Sequence, residues 1–199
     1  QDNPSNYMLP SYRLSPFSTS SLTKSLEILN QYEPCGRQSL VNGFNHIFTD
    51  SGRNGLYLSL MRCDLSESSL VTIITSTGSH YISNCVTSEV EKFCNWNRCI
   101  NSNTDVVIVV HEFGKICHIP DDLLNSGIKI IEDYAYSFAA MAMCPGDIKG
   151  DFAVFSLSKF FPVQYGGILL SKTEVDEKDC FFSEAMYSYY SKDIKDIFV

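Results

Sequence analysis

The chain has 199 residues, of which 44% are hydrophobic and 13% aromatic, enough apolar material for the core of one sizeable domain. Its formal net charge of −8 disfavours nucleic acid and anionic membranes as partners, because both bind basic surfaces. No stretch approaches the roughly 20 uninterrupted apolar residues of a membrane span, and the N-terminal sequence lacks the features of a signal peptide. We therefore expect a cytoplasmic protein without nucleic-acid or membrane partners.

The eight cysteines predict reduced thiols and not a disulfide framework, because a chain of this length does not need such bridges. Four of them lie in or beside apolar, periodic segments, which is typical of buried free thiols: Cys63, Cys85, Cys117 and Cys144. Cys94 and Cys99 are close in sequence, but no second cysteine pair or histidine pair completes a zinc set. No metal site is expected.

The N-terminal third begins with residues 1–20, which predict an extended arm because prolines at positions 4, 10 and 16 prevent a helix. A first helix, capped by Ser20 or Ser21, is predicted to run to about Tyr32. A second helix fits Gly52 to Met61, where Leu56, Tyr57 and Leu60 lie on one side.

From residue 70 onward, short β-branched segments alternate with segments of helical spacing. Strands are predicted at 70–75, 105–110, 128–133, 151–156 and 166–171, with helices near 84–93 and 120–126. Little polar alternation occurs inside these strands, so both sheet faces should be covered. The pattern indicates an α/β layer fold with a mostly parallel sheet, in one domain.

Two charged residues come at the ends of predicted strands, where ligands bind in open parallel sheets. Asp133 follows three isoleucines, a lysine and a glutamate, and such a carboxylate needs a cationic or hydrogen-bonding partner; its alternative role is to cap the next helix. Lys159 stands among apolar residues, where a neutral amine can be nucleophilic; its alternative is a surface side chain. His111 also ends a strand, and packing and site-lining roles are both open for it.

Two further features complete a possible site. The segment S-G-R-N-G at 51–55 leads into a helix whose free N–H groups suit a phosphate, although Ser-Gly is also an ordinary helix cap. Tyr81 follows the predicted strand 70–75 and can stack on a flat ring or fill the core. Together with Asp133 and Lys159, these parts match the needs of pyridoxal 5′-phosphate (PLP).

The order of these motifs resembles the DegT/DnrJ/EryC1/StrS family of PLP-dependent sugar aminotransferases. The likeness begins at T-D-S-G-R-N-G-L (49–56) and continues through V-V-H-E-F-G (109–114), I-I-E-D-Y-A-Y-S-F (130–138), G-D-F-A-V-F-S-L-S-K (150–159) and Y-G-G-I-L-L-S (165–171). It implies a three-layer α/β domain with a mostly parallel central sheet, like the large domain of fold-type-I enzymes. Residues 21–199 would form this PLP-binding domain, with the family's C-terminal small domain absent or truncated.

The resemblance also implies roles for individual residues. Lys159 would form the imine with the cofactor, and Asp133 would pair with the pyridine nitrogen. Gly52 and Arg53 would bind the phosphate through backbone N–H groups, with the Ser156 hydroxyl as a further ligand. The remaining two are aromatic: Tyr81 would stack on the ring, and Tyr136 stands where many members carry Gln or His near the ring hydroxyl.

The function implied is transfer of an amino group, from glutamate, to a keto group of a nucleotide-activated sugar in surface polysaccharide or secondary-metabolite sugar biosynthesis. A homodimer is implied as well. The alternative is an incomplete, inactive aminotransferase-like domain that acts as a binding or assembly partner. A third reading takes Ser156 and Lys159 as the S-x-x-K pair of a penicillin-binding acyl transferase, but the other motifs of that class are missing from the sequence.

Overall fold

The computed structural model describes residue 41 and residues 43–138, 148–160 and 166–174. Seven strands lie within these ranges: β1 Asn45–Thr49, β2 Leu70–Thr75, β3 Asn95–Asn97, β4 Val106–Val110, β5 Lys129–Asp133, β6 Phe152–Ser156 and β7 Gly167–Ser171. The helices are α1 Gly52–Met61, α2 Asn84–Val90 and α3 Asp121–Leu124, and a 3-10 turn covers Leu157–Lys159. The predicted N-terminal arm and first helix lie outside the described residues.

All seven strands form one sheet in the order β1-β7-β6-β5-β4-β2-β3. Strands β3, β2, β4, β5 and β6 run parallel, whereas β7 pairs antiparallel with both β6 and β1. The predicted mostly parallel α/β sheet is therefore confirmed. Strands β1 and β3, at the two edges, were not predicted from the sequence.

Apolar side chains cover both faces of the sheet. On one face, Leu56 and Leu60 of α1 and Val90 of α2 pack in a cluster with Ile73 of β2 and Ile108 of β4. On the other face, the alternate residues of β4 pack with the segment around α3, in a cluster that includes Val107, Val109, Ile119 and Leu123. Successive residues of one strand thus serve opposite layers, which explains the nearly continuous apolar runs in the sequence.

The start of α1 is fixed against the beginning of β7. The Gly166 N–H donates to the Asp50 carbonyl at 2.5 Å, and the Thr49 hydroxyl donates to the Ser51 carbonyl at 2.8 Å. A β-carbon on Gly167 would lie 2.5 Å from the Ser51 carbonyl carbon, so only glycine permits this approach. The turn before α1 is thereby placed at the carboxyl end of the sheet.

Candidate functional site

A cleft of about 400 Å³ opens at the carboxyl edge of the parallel strands, beside the start of α1. Thr75, Val110, Asp133 and Ser156, the last residues of β2, β4, β5 and β6, all line it. Parallel strands end at the same edge of a sheet, so residues far apart in sequence meet here. The cleft also contains all seven residues that the sequence and the resemblance single out: Gly52, Arg53, Tyr81, Asp133, Tyr136, Ser156 and Lys159. Their assigned roles stay predictions.

The first turn of α1 presents two free N–H groups to this cleft. The Ser51 hydroxyl caps the helix by accepting from the Asn54 N–H at 3.2 Å, and the Gly55 N–H donates to the Ser51 carbonyl. Within the described part of the chain, the N–H groups of Gly52 and Arg53 have no hydrogen-bond partner. A helix start with free donors and a positive dipole end is suited to an anion.

Gly52 brings this helix start against the end of β6. A β-carbon at Gly52 would lie 3.0 Å from the Ser156 β-carbon and 3.3 Å from the Phe155 carbonyl oxygen. Ser156 and the first turn of α1 therefore lie side by side in the wall of the cleft. This explains the glycine that follows the capping serine in the motif.

Asp133 is buried, with 7% of its surface exposed, and lies at the floor of the cleft. Burial raises the pKa of its carboxyl, and this outweighs the lowering by the hydrogen bond from the Ala135 N–H and by the charge of Lys159. One carboxylate oxygen accepts that N–H at 2.8 Å, and the other has no hydrogen-bond partner among the described residues. The free oxygen can accept a hydrogen bond from a protonated nitrogen of a ligand.

Lys159 ends the 3-10 turn that follows β6, and its side chain is exposed in the cleft. Its Nζ lies 3.5 Å from the centroid of the Tyr136 ring. The expectation of an apolar setting holds for Phe155 and Leu157, which are buried, but not for the lysine itself or for Phe160, which is 40% exposed. The strand brings the lysine to the cleft, where its amine is accessible.

Aromatic side chains line the mouth of the cleft. Tyr81 is 75% exposed, Phe113 is 80% exposed, and the Phe113 ring lies 5.1 Å from that of Tyr136. Phe113 has a φ of 49°, an uncommon conformation for a non-glycine residue, in the turn after β4. A site role for Phe113 was not predicted from the sequence; its place directly before Gly114 at a strand end is the signal that could have identified it.

The loop that carries Tyr81 is held at two points. Glu112 accepts from the Thr77 N–H at 2.9 Å and from the Thr77 hydroxyl. From the other side, Arg98 donates from Nη2 to the Ser79 carbonyl at 2.6 Å. Tyr81 thus stands on a loop that is tied both to the end of β4 and to the edge strand β3.

Arg53 and Cys85 form a contact that the sequence did not predict. Arg53 Nη2 lies 2.9 Å from Cys85 Sγ, and Arg53 Nε lies 3.8 Å from the buried carboxylate of Glu89. The hydrogen bond from Arg53 lowers the pKa of the Cys85 thiol despite partial burial, with help from Ser83 and Lys159. Cys85 is exposed and lines the cleft, so the expectation of a buried thiol is wrong for it. Cys144 lies outside the described residues.

His111 belongs to a buried network beneath the cleft and does not line it. Its Nδ1 accepts from the Cys117 N–H at 2.9 Å, so the ring proton lies on Nε2, which donates to Glu132 at 2.9 Å. Glu132 also accepts from the Tyr134 hydroxyl at 2.8 Å and from the N–H groups of Lys149 and Gly150 at 2.7 Å each. Of the two roles left open for His111, the structure supports packing.

Glu132 is ionised within this network. Burial by itself would raise the pKa of the Glu132 carboxyl, but the bonds from His111, Gly150, Tyr134 and Lys149 together lower it. The carboxylate joins β5 to the turn before β6, one residue from Asp133. Apart from the two acidic residues at the strand end, no local pattern in the sequence indicates this network.

These residues fit PLP in their chemistry. The first turn of α1 and Ser156 offer donors for a phosphate, Asp133 offers a carboxylate oxygen, Lys159 offers a primary amine, and aromatic rings stand beside them. Among the described residues, no group of three or more His, Cys, Asp and Glu side chains is placed to hold a metal ion. In the same part of the chain, no helix is both long and apolar enough to cross a membrane.

No protein-family model matches the chain, and no curated protein is similar to it in sequence. Solved structures are similar in fold. The PMP form of Spr1654 from Streptococcus pneumoniae, assigned as a sugar aminotransferase, superposes with a TM-score of 0.56 at 15% identity, covering 89% of this chain and 55% of that one. NtdA from Bacillus subtilis with bound PMP superposes with a TM-score of 0.58 at 14% identity, covering 82% of this chain and 44% of NtdA. A chain from the complex of SepCysS with the N-terminal domain of SepCysE superposes with a TM-score of 0.56 at 15% identity, covering 94% of this chain and 66% of that one.

These similarities confirm the predicted fold class, that of PLP-dependent transferases of fold type I. At 14% to 15% identity they show the fold alone. The chain spans about half the length of Spr1654 and of NtdA.

Proposed function

We propose that this chain is a PLP-dependent aminotransferase that acts on a keto group of a nucleotide-activated sugar. The observation that carries the proposal is that Asp133, Lys159 and the free N–H groups of α1 line one cleft at the carboxyl edge of the sheet. The names of the similar structures support the same class of reaction, since Spr1654 is assigned as a sugar aminotransferase and NtdA holds PMP.

The start of α1 would hold the phosphate. The N–H groups of Gly52 and Arg53 donate to its oxygens, with the Ser156 hydroxyl as a further donor from β6. The Arg53 guanidinium is engaged with Cys85 and Glu89, so its backbone and not its side chain is assigned to the phosphate. The phosphate would thereby orient the ring toward the strand ends.

Asp133 would hold the proton of the pyridine nitrogen. Its free carboxylate oxygen is the acceptor, and its buried position strengthens the interaction with a cationic ring. The bound ring supplies an aldehyde carbon that joins an amine and an electron sink for the substrate carbon. Burial of the Asp133 carboxylate without a cationic partner is costly, and a pyridinium would offset that cost.

Lys159 would bond covalently to the cofactor and then move a proton. When free, its Nζ would accept the proton that leaves the donor's amino-bearing carbon. Tyr81 would stack on one ring face, and the Tyr136 hydroxyl would lie near the ring hydroxyl, as the family resemblance implies. Glutamate is the proposed donor, in surface polysaccharide or secondary-metabolite sugar biosynthesis.

We further propose a cytoplasmic homodimer. The support is the family resemblance together with the exposed aromatic side chains of Tyr81 and Phe113 at the cleft mouth, which are large apolar surfaces left open in a single chain.

The test is a PLP titration followed by absorbance. The wild type should develop a band of lysine-bound cofactor, Lys159→Ala should not, and Lys115→Ala, which changes an exposed lysine in the turn after β4, should behave as the wild type. A wild type that shows no lysine-dependent band would refute PLP binding at this site. Addition of glutamate should then convert the bound cofactor to its amine form.

The alternative function is an aminotransferase-like domain that holds the cofactor without turnover and serves as a binding or assembly partner. The similar solved structures show the fold alone, and an inactive domain would share that fold. PLP binding without conversion by glutamate would favour this alternative, and conversion would exclude it.

A further inference from the structure

The amine of Lys159 is held by an aromatic face. Its Nζ lies 3.5 Å from the Tyr136 ring centroid, well inside the ~6 Å reach of a cation–π contact. Within the part of the chain that the structure describes, no carboxylate lies within ion-pair distance of this amine. The ring of Tyr136 is therefore the principal partner of the unbound lysine in this structure.

Tyr136 is itself well positioned for that contact. The turn that carries it is tied by the Asp133 carboxylate, which accepts from the Ala135 N–H, and by the Ser137 hydroxyl, which donates to the His111 carbonyl at 2.8 Å. The Phe113 ring packs against Tyr136 with 5.1 Å between the centroids. The ring face is thus fixed by contacts that do not involve Lys159.

We propose that the ring of Tyr136 binds the free Lys159 side chain: the ring face holds the lysine ammonium in a cation–π contact whenever the lysine is not bonded to the cofactor. The part of this role that concerns the cofactor rests on the proposed function. The contact itself is a property of the chain alone.

The physical basis is a difference between the two forms of the amine. The negative face of an aromatic ring attracts an ammonium group and offers little to a neutral amine. Attack on an aldehyde needs the neutral amine: the ammonium loses one proton to solvent, a carbon–nitrogen double bond forms and one water molecule leaves. The ring should therefore slow carbonyl chemistry at Lys159 while keeping the freed side chain beside the cleft.

The first experiment needs no cofactor. Protein without PLP is treated with formaldehyde and cyanoborohydride, and methylation of Lys159 over time is followed by peptide mass spectrometry, with Lys115 as internal reference. Tyr136→Phe keeps the ring and Tyr136→Leu removes it. We expect methylation about 2- to 30-fold faster in Tyr136→Leu, the range for loss of a cation–π contact, and a wild-type rate in Tyr136→Phe.

The second experiment measures how fast the lysine-dependent absorbance band appears after PLP is added. Tyr136→Leu and Tyr136→Phe are compared with each other, because both lack the hydroxyl that is assigned to the cofactor. The band should appear faster in Tyr136→Leu by a similar factor. Equal rates for the two variants in both experiments would overturn the proposal.

The two proposals fail separately. If the wild type shows no PLP band but Tyr136→Leu still speeds methylation, the proposed function fails and the lysine contact stands. If the band forms but the ring changes neither the methylation rate nor the rate of band formation, the proposed role of Tyr136 is refuted and the proposed function stands. Should Tyr136→Leu not fold, NMR of the wild type tests the contact instead. A ring contact shifts the resonances of the Lys159 ε-methylene protons upfield, whereas without the contact their chemical shifts match those of the other lysines.

Discussion

Arg53 and Cys85 are joined by a hydrogen bond of 2.9 Å between guanidinium and sulfur, although 32 positions separate them in sequence. The contact links the first turn of α1 to the first turn of α2 across one wall of the cleft. It places a thiol of lowered pKa beside the proposed phosphate site, where its reactivity reports on the state of the cleft.

We expect iodoacetamide to alkylate Cys85 faster than Cys63 at pH 7. The hydrogen bond from Arg53 lowers the pKa of Cys85 below its ordinary value of 9.0, whereas burial raises the pKa of Cys63 to about 12. The thiolate is the nucleophile, so a lower pKa gives more reactive sulfur at neutral pH. Peptide mass spectrometry measures both rates, and PLP should protect Cys85 alone.

The same measurement on Arg53→Leu tests the cause. Loss of the guanidinium should slow alkylation of Cys85 at pH 7, and the difference should shrink above pH 9, where the thiol ionises in both proteins. An unchanged rate at pH 7 would show that Arg53 does not control this thiol.

Replacement of Asp133 by Asn should raise the melting temperature of the cofactor-free protein at pH 7. Burial raises the pKa of this carboxyl, so its ionisation costs folding free energy at neutral pH, and Asn keeps the acceptor for the Ala135 N–H. The cost disappears as pH falls below the unfolded value of 3.8, so the gain should vanish near pH 3. Calorimetry at the two pH values measures the effect.

PLP should stabilise Asp133→Asn less than it stabilises the wild type, because an amide does not pair with a pyridinium charge. A lower melting temperature of the variant at pH 7 in the absence of PLP would contradict an unpaired, costly carboxylate at this position.

Glu132→Gln should act in the opposite direction. Hydrogen bonds hold the pKa of the Glu132 carboxyl below its ordinary value of 4.5, so its contribution to stability is present above that pH and is lost as pH falls through the lower folded value. We expect the variant to lose about 1–3 kcal/mol of unfolding free energy at pH 7. Urea unfolding measures it, and the loss should diminish below pH 4.5.

Glu67→Gln is the matched control, since Glu67 is exposed and should show little change at either pH. If the two variants had equal effects, the network of His111, Glu132 and Tyr134 would not be a source of stability.

Gly167→Ala should weaken the anion site from a distance. The added methyl would lie 2.5 Å from the Ser51 carbonyl carbon and 2.6 Å from its oxygen, so the turn before α1 must shift. We expect a loss of about 1–3 kcal/mol in stability and weaker binding of PLP. Urea unfolding and a PLP titration measure the two effects.

Gly55→Ala is the comparison for that variant. At Gly55 the nearest atom is a side-chain methyl of Val154 at 3.2 Å, which can yield, and alanine favours the helix. If Gly55→Ala weakened PLP binding as much as Gly167→Ala, displacement of the Ser51 turn would not be the cause.

The central elements were predictable because their patterns are local. Helix α1 begins after a serine cap and buries Leu56 and Leu60, and β2, β4, β5, β6 and β7 are short segments with apolar centres whose bounds agree with the predicted ones to within a residue. The edge strand β3 was missed because Asn95 and Asn97 have low strand propensity and the segment has three residues. Strand β1 depends on pairing Asn45 with Ser171, which no local pattern reveals.

The candidate site, like the fold, was predictable from the sequence only in part. Asp133 and Lys159 could be selected because strand ends in a parallel sheet share an edge. The bond between Arg53 and Cys85 and the network around His111 could not, since both depend on side-chain directions between segments distant in sequence. The exposure of Lys159 was left open by the sequence, because an apolar neighbourhood in sequence does not determine which way one side chain points.

The division of the cleft among the ends of four strands and the start of one helix has a consequence for assembly of the chain. The groups that line the cleft do not all lie on any two segments that are consecutive in sequence. The contacts that bring these groups together span much of the sequence from Ser51 to Lys159. Such non-local contacts carry a large loop-closure cost and form late. Affinity for a ligand should therefore emerge only at the end of folding, so that ligand binding would report a fully assembled sheet.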